Sequence, residues 1–281
     1  MTRIVCQQFA PRVGEVETNR RLTVNAVASA VGEHRADIVV LPELCNSGYM
    51  FQSPQEAASL AITPDDGLFK EWAAEASRGG AVVIGGFCER GDDGHTYNSA
   101  IVVEPRGVVG VYRKTHLWDR EKLHFKPGDA PPGVFDTAHG RIGVLVCYDL
   151  EFPEMTRILA LADAELIAVP TNWPLSDRPE GERPPEVTAA QAAARVNRVF
   201  IAACDRTGTE RGQEWTGGTS IIDENGFVLA AQTGTGPAKA LVDLARARDK
   251  SLTRLADVLA DRRPELYGAV VQPPAPAEPR I

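Results

Sequence analysis

The stretch Arg141-Ile-Gly-Val-Leu-Val-Cys-Tyr-Asp-Leu-Glu-Phe-Pro-Glu154 decides how the rest of the chain is read. Ile142 to Val146 is a short apolar, β-branched run of the kind that forms a buried strand. After Cys147 the character changes: acids appear, and Pro153 fits the first turn of a helix. Cys147 is therefore expected at the carboxyl end of a strand, in the turn before a helix, where open α/β sheets gather ligands and reactive groups. Backbone N–H groups in such a turn can hold an oxyanion, and a helix start favours thiolate. A lone cysteine ending an apolar run serves equally well as a small core side chain. The stretch alone does not separate the two readings.

Outward from it, strand and helix patterns alternate. Arg3-Ile-Val-Cys-Gln-Gln-Phe9 alternates as a strand, and residues 17–31 space Leu22, Val27, Ala30 and Val31 as one face of a helix. Ile38-Val-Val-Leu41 is a continuous apolar strand closed by Pro42, with Glu43 next. Residues 68–76 read as a helix stopped by Gly79-Gly80, and Ala81-Val-Val-Ile84 as a strand. Residues 97–103 and 108–113 form an expected hairpin around Pro105-Arg-Gly107. Beyond Cys147 come a helix (153–162), a strand (166–169), a Pro-rich loop (174–185), an Ala-rich helix (186–197) and a strand (199–204). Residues 219–222, 227–231 and 240–242 read as further strands, turned by Asp223-Glu-Asn-Gly226 and residues 234–237. The inserted hairpins fit a pure Rossmann sheet poorly and fit an α/β two-sheet sandwich with outer helices better. One domain is expected over residues 1–268, followed by a tail at 269–281. Four prolines in residues 273–280 leave that tail unable to pack a core, so it is expected to be disordered or laid on a neighbour.

Composition narrows the function. Five cysteines (Cys6, Cys45, Cys88, Cys147, Cys204) lie scattered with no Cys-x-x-Cys pair, which argues against a disulfide framework or zinc site and for a reducing compartment. No charged-then-apolar leader opens the chain and no apolar run approaches a membrane span, so a soluble cytoplasmic protein is expected. A formal charge of −8 without a basic cluster excludes the electrostatic footprint of nucleic-acid binding. The five histidines, at 34, 95, 116, 124 and 139, have no metal-ligand spacing. Gly85-Gly86 and Gly217-Gly218 open onto no Lys-Ser/Thr helix and read as turns or close backbone contacts.

Three segments share one design, an apolar strand ending in a reactive group: Ile38-Val-Val-Leu-Pro-Glu43, Val109-Gly-Val-Tyr-Arg-Lys114 and Val144-Leu-Val-Cys147. A carboxylate, an ammonium and a thiol meeting over one pocket would support acyl transfer from an amide. Cys147 would attack the carbonyl carbon, and Glu43 would take the thiol proton and return it to the leaving amine. Lys114 and the backbone N–H of Tyr148 would hold the oxyanion. Each member has a plainer use: Glu43 as a solvated loop acid, Lys114 as a charge guarding a sheet edge. A Cys147–His116 dyad is also open on composition, although His116 is better placed to position Lys114.

These segments closely resemble the nitrilase (carbon–nitrogen hydrolase) superfamily. Leu41-Pro-Glu43 with Gly48-Tyr49 is similar to its glutamate motif, Tyr112-Arg-Lys-Thr-His-Leu117 to its lysine motif, and Gly143 to Glu154 to its nucleophile motif. The likeness runs in order over roughly residues 3–245. It implies a four-layer αββα sandwich of two mixed sheets, usually a homodimer, with a Glu-Lys-Cys triad and neither metal nor organic cofactor. It also implies a second glutamate ahead of Phe125-Lys-Pro-Gly128; Glu121 fits that place, with the role of hydrogen-bonding Lys114 or the substrate amide.

Tyr148, where nitrilases proper tend to carry Trp, points to the amidase-like branch. Asn172 and Trp173, following the next strand, are expected in the pocket wall, with Tyr49, Trp118 and Tyr148. The reading is hydrolysis of a small carboxamide to carboxylate and ammonia. N-carbamoyl amine or nitrile hydrolysis by the same trio is an alternative, as is a catalytically silent member of the fold that binds a small molecule or partner.

Overall fold

The structure, a computed structural model, describes residues 1–232 and 236–272. The first half contributes β1 (Thr2–Gln8), α1 (Val16–Gly32), β2 (Ile38–Val40), α2 (Pro54–Leu60), α3 (Gly67–Ser77), β3 (Val82–Arg90), β4 (Thr96–Glu104) and β5 (Gly107–Arg113). The second contributes β6 (Val134–Thr137), β7 (Gly140–Val144), α4 (Pro153–Leu161), β8 (Leu166–Pro170), α5 (Pro185–Asn197) and β9 (Phe200–Cys204). A short hairpin, β10 (Thr209–Glu210) and β11 (Gln213–Glu214), precedes β12 (Ser220–Ile222), β13 (Val228–Ala231) and β14 (Gly236–Val242).

Two six-stranded mixed sheets result, in the orders β14-β1-β2-β3-β4-β5 and β13-β12-β9-β8-β7-β6. Each has a parallel centre, β1-β2-β3 in one and β7-β8-β9 in the other, continued by antiparallel strands on both sides. Period-2 alternation assigns the layers. Ile4, Cys6, Ile38 and Val40 pack in one core with Ile142, Val144, Leu166 and Ala168 of the second sheet. Their neighbours Val5, Val39 and Leu41 face the other way, onto Val27 and Ala30 of α1 and Phe69 and Trp72 of α3. Leu159 of α4 and Ala190 and Ala194 of α5 cover the far side of the second sheet. The layers run helix, sheet, sheet, helix, and the αββα sandwich expected from sequence is the one observed.

Several boundaries differ for identifiable reasons. The strand expected at 81–84 runs on to Arg90, because Gly85-Gly86 continues β3 instead of ending it. An added Cβ at Gly85 would lie 2.6 Å from the Trp72 ring, and at Gly86 only 2.5 Å from Glu43 Cα. Both glycines are therefore close backbone contacts. α2 escapes sequence reading because it has seven residues and buries only Ala57, too little for a periodic signal. β6 is a four-residue edge strand, visible only through its pairing with β7. β14 exceeds its expected three residues because β1 pairs along its whole length. The turn expected at 234–237 falls partly, and the Pro-rich stretch at 273–280 wholly, outside the described residues.

The chain packs as two units. Met1–Asp249 carries both sheets and α1 to α5; from Lys250 a short unit holds β15 (Ser251–Thr253) antiparallel to β16 (Ala256–Asp257). The composition change at 268/269 and this packing boundary do not coincide. Among the described residues, no helix is long and apolar enough to cross a membrane.

Gly86→Ala should cost about 1–3 kcal/mol of stability by forcing backbone apart, measurable by urea unfolding. Because the displaced atoms belong to Glu43 and Leu44, kcat should fall about 100-fold as well.

Candidate active site

Polar side chains gather where the central strands end. Glu43 follows β2, Cys147 follows β7, Asn172 and Trp173 follow β8, Asp205 follows β9, and Lys114 is the residue after β5. Glu121 comes from a single 3₁₀ turn, Asp119–Leu123. Asn172 ties the two sheets together here. Its Nδ2 donates to the Glu43 carbonyl at 2.9 Å, and its own carbonyl oxygen lies 3.9 Å from Cys147 Sγ.

Lys114 Nζ sits between two carboxylates, donating to Glu43 Oε1 at 2.7 Å and Glu121 Oε1 at 2.8 Å. Glu43 and Lys114 are wholly buried. Asn98 Nδ2 adds a 2.7 Å hydrogen bond to Glu43 Oε1, leaving Glu43 Oε2 buried without a partner. Glu121 is fixed by the Tyr49 hydroxyl at 2.5 Å and the Trp118 backbone N–H at 3.2 Å. Burial raises the Glu43 carboxyl to a pKa of about 7; the Lys114 charge opposes the rise and Glu121 adds to it. Burial pulls the Lys114 ammonium down, but Glu121 and Glu43 outweigh it and hold lysine charged well above its ordinary range.

Cys147 has φ +47°, a left-handed conformation uncommon for a residue with a side chain. It opens a 3₁₀ turn, Cys147–Glu151, ahead of α4. The sequence suggested that a helix start would favour thiolate. The structure corrects this: burial, then the nearby Glu43 charge, push the thiol well above its usual pKa, and Lys114 only partly opposes them. The resting sulfur is a thiol beside a carboxylate that titrates near neutrality.

Asp149, fully buried, locks the lysine loop to this turn. It accepts from the Tyr112 hydroxyl at 2.9 Å, Thr115 Oγ1 at 3.1 Å, and the His116 and Val146 backbone N–H groups at 3.0 and 3.2 Å. The His116 ring stacks on Phe152 with centroids 3.6 Å apart. His116 is thus a brace between loops, in keeping with the positioning role read from sequence.

Beside Cys147 opens a cavity of about 330 Å³ lined by Trp118, Tyr148 and Trp173 among others. A smaller one of about 130 Å³, bounded by Tyr49, Glu121 and Trp215, adjoins it through Trp118 and Pro174. Asn172 is not in the wall; its side chain turns to the Glu43 backbone. Behind the wall, Asp205 accepts from the Trp173 and Gly218 N–H groups at 3.0 and 2.8 Å. Glu210 accepts from the Val13, Tyr49 and Met50 N–H groups and from buried Arg206. Arg206 in turn lies over the Trp215 ring.

The structure therefore brings Glu43, Lys114, Glu121, Cys147, Tyr49, Trp118, Tyr148, Asn172 and Trp173 to one region. Sequence reading gave no role to Asn98, Asp149 or the Asp205–Arg206–Glu210 network. Asp205 carried a usable signal, since it too follows an apolar strand; Asn98, inside β4, carried none. Among the described residues no group of three or more His, Cys, Asp or Glu side chains is arranged to hold a metal ion.

Sandwich and strand-end site together define a hydrolase of the nitrilase type. The chain matches the family described as carbon-nitrogen hydrolase over residues 3–250, and it belongs to that family. It is 35% identical to a nitrilase of Pyrococcus abyssi over 95% of this chain and 99% of that one. It is 36% identical to an (R)-stereoselective amidase of a Pseudomonas species, over 95% and 93%. A solved variant of the amidase from Nesterenkonia sp. AN1 shows covalent addition of the acetamide moiety of fluoroacetamide at its active-site cysteine. It matches with a TM-score of 0.78 at 26% identity, covering 95% of each chain.

Asp149→Ala would leave several buried donors unpaired and should cost about 3 kcal/mol, read by urea unfolding.

Proposed function

We propose that the protein hydrolyses a small carboxamide to a carboxylate and ammonia through a thioester on Cys147. The observation that carries this reading is the buried Glu43 carboxyl. Its Oε1 is tied to Lys114 and Asn98, its Oε2 is unpartnered, and its pKa of about 7 suits a base that must take and return a proton.

Glu43 takes the thiol proton as Cys147 Sγ attacks the amide carbon. The oxyanion that forms is held by the Lys114 ammonium and the Tyr148 N–H. Collapse breaks the C–N bond, and Glu43 passes its proton to the departing nitrogen, so ammonia leaves neutral. Water then attacks the thioester with Glu43 again taking a proton; the C–S bond breaks and the sulfur is reprotonated. Glu121, held by Tyr49 and Trp118, keeps Lys114 in place. The covalent cysteine adduct of the Nesterenkonia amidase supports the thioester.

Five unpaired, buried cysteines support a reducing, cytoplasmic setting. Exposed Ile158 and Leu161 on α4 and Val196 on α5 support the homodimer implied by the resemblance.

A panel of amides, ureides and nitriles with ammonia detection tests the reading; carbon dioxide released with ammonia, or activity confined to nitriles, would replace it. Cys147→Ala should lose at least about 10⁴-fold in turnover while keeping the native circular dichroism spectrum. Lys114→Ala should lose about 1,000-fold; preserved turnover there would indicate a cysteine–histidine mechanism. Since the active form of Glu43 is its carboxylate, kcat/KM should rise with pH and level off above about 7. Below that it should fall about tenfold per pH unit. A profile flat from pH 5 to 8 would exclude Glu43 as the base.

A further inference from the structure

The loop that carries Tyr49 is held by a part of the chain to which the proposed hydrolysis gives no step. Glu210, in the short hairpin after β9, is buried. Its Oε1 accepts from the Val13 N–H at 2.8 Å. Its Oε2 accepts from the Tyr49 and Met50 N–H groups and from Arg206 Nη1, all at 2.9 Å. Gly48 has φ +81°, and an added Cβ there would lie 2.5 Å from Glu210 Oε1. The loop therefore closes directly onto the carboxylate, with no room for a side chain at position 48. Arg206, wholly buried, also lies 4.6 Å from the centre of the Trp215 ring, and that ring meets Tyr49 edge to face at 5.2 Å.

With its backbone and its ring both fixed, Tyr49 has its hydroxyl aimed at Glu121. It donates at 2.5 Å to Glu121 Oε1, the same oxygen that accepts from Lys114 Nζ at 2.8 Å. Burial, then the Glu121 and Glu43 charges, hold the phenol well above its ordinary pKa, so it stays a donor. A hydroxyl donating to a carboxylate is among the stronger hydrogen bonds. It meets part of the demand that Glu121 makes on the ammonium. More of that charge is then left for Glu43, 2.7 Å from the same nitrogen.

Resting on the reading of Glu43 as the base, we propose that Glu210 is a positioning residue for the hydrolysis: it sets the Tyr49 hydroxyl on Glu121 and so fixes how the two glutamates share Lys114. Glu210 acts at a distance from the reacting atoms, since the groups it holds are three backbone N–H groups and Arg206.

The test is a double-mutant cycle read in kcat, KM and pH profile. Tyr49→Phe removes the hydroxyl and leaves the Glu210 contacts to the loop backbone in place. It should lower kcat about tenfold with the smaller change in KM. It should also move the acid limb of kcat/KM to higher pH, because Glu121 then draws more of the ammonium and Glu43 holds its proton more tightly. The other titratable groups acting on Glu43, namely Lys114, Glu121, Cys147 and Arg206, are unchanged in this variant. Glu210→Gln should lower kcat about tenfold alone but less than about threefold on top of Tyr49→Phe, since the route through the hydroxyl is already lost. Where the glutamine variant does not fold, Glu210→Asp closes the same cycle: it keeps the charge beside Arg206 and withdraws the carboxylate by one carbon. An undiminished effect at 210 in the phenylalanine background overturns the proposal. So does a Tyr49→Phe enzyme with wild-type kcat and an unmoved acid limb. In either case a wild type that releases ammonia with its limb near 7 keeps the hydrolysis reading. No ammonia from the wild type, or a profile flat across neutrality, sinks that reading and this inference with it.

Discussion

A single ammonium shared by two carboxylates, almost entirely out of water, is the constraint on which the rest of this structure depends. Lys114 cannot satisfy Glu43 and Glu121 equally in full, and desolvation penalises all three charges. The compromise shows in the chemistry: lysine stays charged, while Glu43 keeps an affinity for protons near neutrality. With Glu121 absent, lysine would neutralise Glu43 more completely and leave it a weaker base. The second carboxylate thus tunes the first through the lysine between them.

Holding such a cluster requires a scaffold that cannot relax around it. The sandwich supplies one by ending β2 and β7, from different sheets, at the same place. Asn172 spans the join, Gly86 lets the Glu43 backbone approach β3, and Asp149 ties the lysine loop to the nucleophile turn. The Asn172 and Asp149 contacts join backbone to a buried polar side chain and the Gly86 contact brings two backbones together, so an error in any of them is felt at Glu43, Lys114 or Cys147. The left-handed backbone at Cys147 belongs to the same pattern of locally unfavourable geometry held by its surroundings.

The parts legible in the sequence are those encoded locally. A run of β-branched residues followed by Glu43, Lys114 or Cys147 announces both strand and strand-end group within six residues, and the layered fold follows from alternating strands and helices. Glu121 needed the family resemblance, because a charged 3₁₀ turn looks like solvated loop. The Glu210 network was out of reach for a different reason: its donors include Val13, 197 residues away. Asn98 is hidden by its setting, a polar residue next to Ser99 in a strand, whose partner Glu43 lies 55 residues earlier. Long-range polar pairing leaves no periodic trace. The direction of the Cys147 shift was misread because burial and a neighbouring anion are tertiary facts.

That shift has a consequence beyond turnover. Peroxides and alkylating agents attack thiolates, and a thiol kept protonated in a tight recess is a poor target for them. Many cysteine enzymes carry a standing anion and stay vulnerable between cycles. On the proposed mechanism the sulfur acquires its negative charge only as Glu43 accepts the proton during attack, so a resting molecule should age slowly in oxidising surroundings.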